Sequence, residues 1–345
     1  MGSEFSSNAM ATKAKAMYGN RLKPNDYQEL LRRRNVPEIA GYLKNETYYH
    51  EDLEKINEHT IHRGYLELLI RQSYQDRFMK LLRYGDQGHS FYKYGVIQVE
   101  IRQILATLRS IKETEPKMQL AKTAHATQSY TTFDWTRLVA VTQYEQLVEL
   151  LKPTMYYDVL KQLGIKSEAD IDYTKCEIAF KNFFYDHVKV VIEKEFKGKD
   201  KEEIYSLFAS QMELDNIAKI YRMKKYFQMK PEEIKAALVP NYHRIPKKTM
   251  EHWIDNYSAE EFLNAVRQSP YKAFMGSKEF LYIEYHMNAV KFNLSKHHMR
   301  FSNNPNMILI SYLIILETEL QNLIDIIEGI RYNVDADKIS KLLIY

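Results

Sequence analysis

One short phrase occurs twice in this chain, as LKNETYY from Leu43 to Tyr49 and as LKPTMYY from Leu151 to Tyr157. A reaction needs one set of groups in one place. A supersecondary unit that cannot bury its own apolar face is readily duplicated, so an internal repeat restricts the possible folds more than any single residue does. With Leu43 set on Leu151, the match extends without gaps to Asp26-Tyr27 on Asp134-Trp135, Leu30-Leu31 on Leu138-Val139, Ile39 on Leu147, and Tyr48-Tyr49 on Tyr156-Tyr157. A worn third copy appears when Glu38-Ile39 is set on Glu261-Phe262, which brings Arg21-Leu22 onto Arg244-Ile245 and Tyr48 onto Tyr271. The stretch after each copy repeats as well. Glu100, Glu213 and Glu319 coincide, followed by Ile101/Leu214/Leu320, Ile104/Ile217/Leu323, Leu108/Tyr221/Ile327 and a basic position, Lys112/Lys225/Arg331. The same offsets superpose the turn residues Gly85, Gly198 and Asn304, types that tolerate turn conformations their helix-forming neighbours resist.

The period inside each copy is helical. Leu66, Ile70, Tyr74, Phe78 and Leu81 recur every three or four residues, as do Ile97, Ile101, Ile104, Leu108 and Ile111. Helix starts are marked by capping-box patterns at Thr142-Gln-Tyr-Glu145 and Ser258-Ala-Glu-Glu261, and by Pro231 at a first helical position. No alternating run bounded by hairpin turns is present, so the fold class is all-α. Each unit is expected to run short helix, short helix, long helix, turn, long helix. Residues 1–9, MGSEFSSNA, read as a cloning remnant with Met10 as the native start. Unit one is then 10–112, a polar connection spans 113–132, unit two is 133–239 and unit three is 240–345. Three such units are expected to form a pseudo-threefold body in which neighbours bury faces that one unit leaves bare.

Composition excludes several functions. The net charge, 49 − 45 = +4, is spread among acidic residues along helices and forms no basic block, against nucleic-acid binding. The single cysteine, Cys176, has no disulfide partner and no zinc-type spacing, and reads as a small buried residue in a reducing compartment. The longest apolar run, Met307 to Leu316, is half the length of a bilayer-spanning helix, so no transmembrane segment is expected. There is no Gly-x-Gly-x-x-Gly, and Gly198-Lys199 is followed by Asp, so no phosphate loop and no direct nucleotide site are expected. His59 and His62 stand three apart on an expected helix without a third ligand, and His297-His298 diverge on a helix, so neither is taken as a metal site. No cofactor is called for.

Glu100, Glu213 and Glu319 could be general acids or bases. Their threefold recurrence at one helical position argues instead for a shared packing or salt-bridge role. The tyrosines Tyr48, Tyr156 and Tyr271 close the short helix pairs, where an aromatic body with a polar tip suits a junction. Arg109, Lys112, Arg222, Lys224, Lys225 and Arg331 lie near helix C-termini, placed for the helix dipole or for a partner surface.

The helices ELDNIAKIYRMKKYF (Glu213 to Phe227) and ELQNLIDIIEGIRY (Glu319 to Tyr332), together with the threefold repeat carrying LKNETYY, resemble the C-subunit of the prokaryotic V-type (A/V-type) ATPases, the family that includes the d-subunit of the eukaryotic V-ATPase. The resemblance spans the chain after the first nine residues. It implies a funnel-shaped, all-helical, non-catalytic part of the rotor at the cytoplasmic face of the membrane. There it would join the central stalk to the membrane rotor ring, so that ATP hydrolysis or synthesis is linked to H⁺ or Na⁺ transport. Glu328-Gly329, where the second unit has Arg222-Met223, breaks the repetition, so the helix ends do not present identical surfaces. Without the resemblance, a freestanding helical-repeat scaffold for a protein or peptide explains the repeats equally well. An all-α enzyme finds no converging acids or ligands to support it.

Overall fold

The computed structural model describes residues 2–84, 90–113, 131–276 and 281–345. Every regular element among them is helical and no strand occurs. In chain order the α-helices are α1 (Gly2–Gly19), α2 (Pro24–Leu31), α3 (Val36–Glu46), α4 (His50–Leu53), α5 (Arg63–Leu82), α6 (Tyr94–Glu113), α7 (Trp135–Ala140), α8 (Tyr144–Leu151), α9 (Tyr157–Leu163), α10 (Tyr173–Glu195), α11 (Gly198–Lys225), α12 (Pro231–Ala236), α13 (Lys247–Asn256), α14 (Ala259–Gln268), α15 (Ile283–Phe301), α16 (Pro305–Arg331) and α17 (Ala336–Leu342). Two short helices, then a third short helix or 3₁₀ turn, then two long helices follow in this order over α2–α6, over α7–α11, and over α13–α16 with the 3₁₀ turn Lys272–Phe274. Gly85 and most of the polar connection 113–132 lie outside the described residues.

Local chemistry starts and stops these helices. Side-chain oxygens of Asn35, Asp134, Asp172, Ser258, Asn304 and Asp335 accept first-turn amides of α3, α7, α10, α14, α16 and α17, satisfying donors the helix itself leaves open. Pro231 opens α12 as its residue type predicts. The box expected at Thr142 sits one residue later: Gln143 is the cap, and Gln146 takes the amides of both Thr142 and Gln143. The long-helix turns differ in device. Gly198 takes φ +54°, where a side chain would be strained, whereas Asn304 keeps an ordinary φ of −77° and works through its side chain.

The chain forms two compact units. The first comprises residues 1–86, 209–235 and 242–345. One apolar cluster seats the α2–α3 pair, through Tyr27, Leu30, Ile39, Leu43 and Tyr49, against Leu320, Leu323, Ile324 and Ile327 of α16. Helix α1 packs on α16 and α5, with Met10 and Ala14 fully buried. By length and composition α16 could cross a bilayer, yet 78 % of its most apolar 18-residue window is buried by protein, as befits a core helix. The second unit comprises residues 87–208 and 236–241. Its core stacks Phe91, Tyr94, Phe196 and Phe208 edge to face, and packs Phe133, Phe180 and Phe183 around Tyr156. Cys176 is fully buried there, and burial raises its thiol pKa.

Gly329 and Glu328 also find their reasons. A Cβ on Gly329 would stand 2.5 Å from Cδ1 of Ile339 in α17, so the missing side chain is the room α17 packs into. Glu328 pairs with Nη1 of Arg63 at 2.9 Å. Both departures from the repeat serve contacts of α16, with α17 and with the start of α5.

Candidate functional site: three glutamate clasps and the basic helix ends

Glu100, Glu213 and Glu319 are all buried, and each makes the same kind of connection. Each accepts from the backbone just before a short helix pair and from a tyrosine hydroxyl just after it. Glu100 takes the Thr132 amide at 2.5 Å, the Thr132 hydroxyl at 3.0 Å and the Tyr156 hydroxyl. Glu213 takes the amides of His243, Arg244 and Ile245 at 2.8, 3.0 and 3.2 Å and the Tyr271 hydroxyl at 2.7 Å. Glu319 takes the Leu22 amide at 2.9 Å, the Tyr49 hydroxyl at 3.2 Å and the Tyr48 hydroxyl. One carboxylate thus holds both ends of one hairpin. Hydrogen bonds to an ionised acceptor are the stronger class, worth about 1.5–3 kcal/mol each.

The tyrosines are placed by their own turns. Tyr49, Tyr156 and Tyr271 each sit at the N-cap of the following turn with φ between −71° and −84°. Each donates its amide to a hydroxyl two residues earlier, on Thr47, Thr154 or Ser269, at 3.2 Å. The residue of the first segment with this geometry is Tyr49, one beyond the Tyr48 that gap-free alignment puts there. Thr47 follows Leu43 by four positions, Thr154 follows Leu151 by three, and the first hairpin end is one residue longer. Tyr48 then stacks on Tyr49 at 4.4 Å and reaches the same carboxylate.

The electrostatics differ among the clasps. Burial raises the carboxyl pKa of Glu100 and of Glu319, partly offset by their hydrogen bonds. Burial and the facing carboxylates push the phenols of Tyr48, Tyr49, Tyr156 and Tyr271 well above their ordinary value, so they remain protonated donors. Arg77 lies 4.0 Å over the Tyr48 ring while binding Asp52 at 2.7 Å, and Arg244 lies 5.5 Å over Tyr271. These groups orient and hold the ends of the helix pairs.

The basic residues divide. Lys224 turns inward and donates to the carbonyls of Ile254 and Tyr257 at 2.6 and 2.7 Å, closing the C-terminus of α13. Lys112 donates to the Ile171 carbonyl. Arg109 lies over the Tyr173 ring at 6.0 Å. Lys225 pairs with Glu260 at 2.6 Å and Arg222 with Glu284 at 3.3 Å, both on the surface. Arg331 is exposed beside Tyr332. Sequence reasoning overlooked what stands next to them: Tyr226 and Phe227 at the end of α11 are each 63 % exposed, and Tyr332 at the end of α16 is 65 % exposed. An aromatic directly after a basic helix end was the available signal. Large exposed aromatics beside charges mark contact surfaces more often than lone apolar residues do.

His59 and His62 do not share a helix. His59 lies in the turn 57–60, and His62 caps α5, its Nδ1 accepting the Tyr65 amide at 3.3 Å. His297 packs against Phe301 at 4.8 Å.

Two comparisons with known proteins agree with one another. Residues 10–342 match the profile of a family described as ATP synthase (C/AC39) subunit. The chain is also similar to the C-subunit of the A-type ATP synthase of Methanosarcina mazei, at 23 % identity over 269 residues, covering 75 % of this chain and 69 % of that protein.

Proposed function

The chain belongs to the ATP synthase (C/AC39) subunit family, and on that footing we propose that it is a non-catalytic rotor subunit joining the central stalk to the membrane rotor ring. ATP hydrolysis or synthesis would thereby be linked to movement of H⁺ or Na⁺. The observation that carries this reading is a family match running over residues 10–342. Its place is the cytoplasmic face of the membrane, held by other subunits. Its partners are the ring and the stalk, and it needs no cofactor.

A coupling part must transmit force without absorbing it in internal sliding. The clasps supply that stiffness: a short hairpin can leave its long helix only by exposing a buried carboxylate and its amide and phenol donors together. Long helices with buried, interdigitated faces resist bending for the same reason that interiors resist compression. The exposed ends of α11 and α16, with Arg222, Lys225, Tyr226, Phe227, Arg331 and Tyr332, are the surface we assign to partner contact.

Co-purification tests the proposal. Immobilised chain should retain both a detergent-solubilised rotor ring and the stalk, and Tyr226→Ser/Phe227→Ser with Tyr332→Ser should weaken at least one of the two. Retention of neither by the wild-type chain overturns the reading.

A further inference from the structure

We infer that the first compact unit carries a binding site for a small polyphosphate anion, which meets the assigned partner surface at Arg331. An open cavity of about 540 Å³ lies where the starts of α3 and α5 meet the end of α16. That volume falls within the roughly 300–1,000 Å³ usual for small-molecule sites. Arg34, Arg63 and Arg331 line it together with Asn35, His62 and Asn333, and no acidic residue lines it.

The charges are unequal in what they have left to give. Arg63 is engaged, its Nε 2.8 Å from Glu67 and its Nη1 2.9 Å from Glu328. Arg34 and Arg331 are exposed and make no ion pair among the described residues; Arg331 only lies over the Tyr332 ring at 5.2 Å. Two uncompensated guanidinium groups therefore face one cavity. A guanidinium presents a planar fork of donors that matches phosphate oxygens two at a time. The helix ends themselves supply little here. Asn35 already caps the Glu38 amide and His62 the Tyr65 amide. With Nδ1 accepting, His62 keeps its Nε2–H as a further donor. Two fixed positive charges and neutral donors suit an anion bearing at least two charges on neighbouring phosphoryl groups.

The test is titration calorimetry of the full chain with pyrophosphate at low ionic strength. Expected is saturable binding at one site, weakened tenfold or more in Arg34→Gln/Arg331→Gln and unchanged in Lys225→Gln, whose charge lies away from the cavity. Both arginines are exposed, and matching thermal midpoints establish that the double variant is folded. Adding ATP separates the sources of the polyphosphate: displacement of pyrophosphate assigns the site to nucleotide tails as well, and lack of displacement assigns it to inorganic polyphosphate. Absence of saturable pyrophosphate binding, or equal binding by the double variant, overturns the inference.

Discussion

A carboxylate has two oxygens, and the way donors divide between them decides what each clasp tolerates. Glu100 sets Oε1 on Thr132 and Oε2 on Tyr156, and Glu319 sets Oε2 on the Leu22 amide and Oε1 on the two tyrosines. A glutamine in either place can keep its oxygen on the amide and turn its NH₂ to a hydroxyl, which accepts as readily as it donates. Glu213 has backbone amides on both oxygens, so a glutamine there must face NH₂ to an N–H that cannot reverse. Glu213→Gln is therefore expected to cost about 1–3 kcal/mol, and Glu100→Gln and Glu319→Gln less than about 1 kcal/mol. Urea unfolding midpoints measure this, and equal losses at all three positions would contradict it. The pH dependence has a definite sign. Because burial raises the folded pKa of Glu319, the folded state holds the proton more tightly, and stability is lost as pH rises from the ordinary carboxylate value of about 4.3 through the folded pKa. Wild type should gain stability relative to Glu319→Gln as pH is lowered from 7 toward 4.5. A constant difference across that range would refute the assignment. Asp134, Asp170 and Glu261, lowered by hydrogen bonds from Thr136, Ser167 and Ser258, act with the opposite sign, below the ordinary range and outside this window.

At the scale of elements, the order of helices was legible because periodicity, caps and breakers are local signals. Three misplacements share one physical cause: gap-free spacing cannot register a single added residue or a turn. Tyr49 takes the repeated turn geometry while Tyr48 still binds the carboxylate, Gln143 stands in for Thr142, and His62 is a cap where a helical pair with His59 was expected. Gly329 marked a break in the repeat, but its reason, the close approach of Ile339 in α17, is a packing contact that spacing does not show. Gly329→Ala should gain helix propensity of up to about 1 kcal/mol yet lose about 1–3 kcal/mol to overpacking. The expected net result is a lower thermal midpoint. The loss should shrink in an Ile339→Ala background, because the two side chains compete for one space. A Gly329→Ala protein as stable as wild type would show that α17 yields freely.

At the scale of the whole molecule, sequence separation explains what could not be read. Glu100 meets its hairpin 32 and 56 positions onward, Glu213 meets its own 30 to 58 onward, and Glu319 reaches back 297 positions to Leu22. Each clasp therefore joins a long helix to a short helix pair distant from it in sequence: Glu100 to α7–α8, Glu213 to α13–α14 and Glu319 to α2–α3. Aligned copies reveal equivalent residues but not which copy supplies a partner. The recurrence of the glutamates was legible and their structural use was the favoured reading, whereas the phenol and amide donors were not foreseen. The proposed role rests on family membership and on the clasps within each compact unit. Its most direct test is ATP-driven ion uptake into vesicles carrying the rotor ring, the stalk and the ATP-hydrolysing head, compared at equal ATP turnover with and without this chain. Uptake that depends on added chain, and falls when the ends of α11 and α16 are substituted, is the expected result. Equal uptake per ATP in its absence would contradict a coupling role.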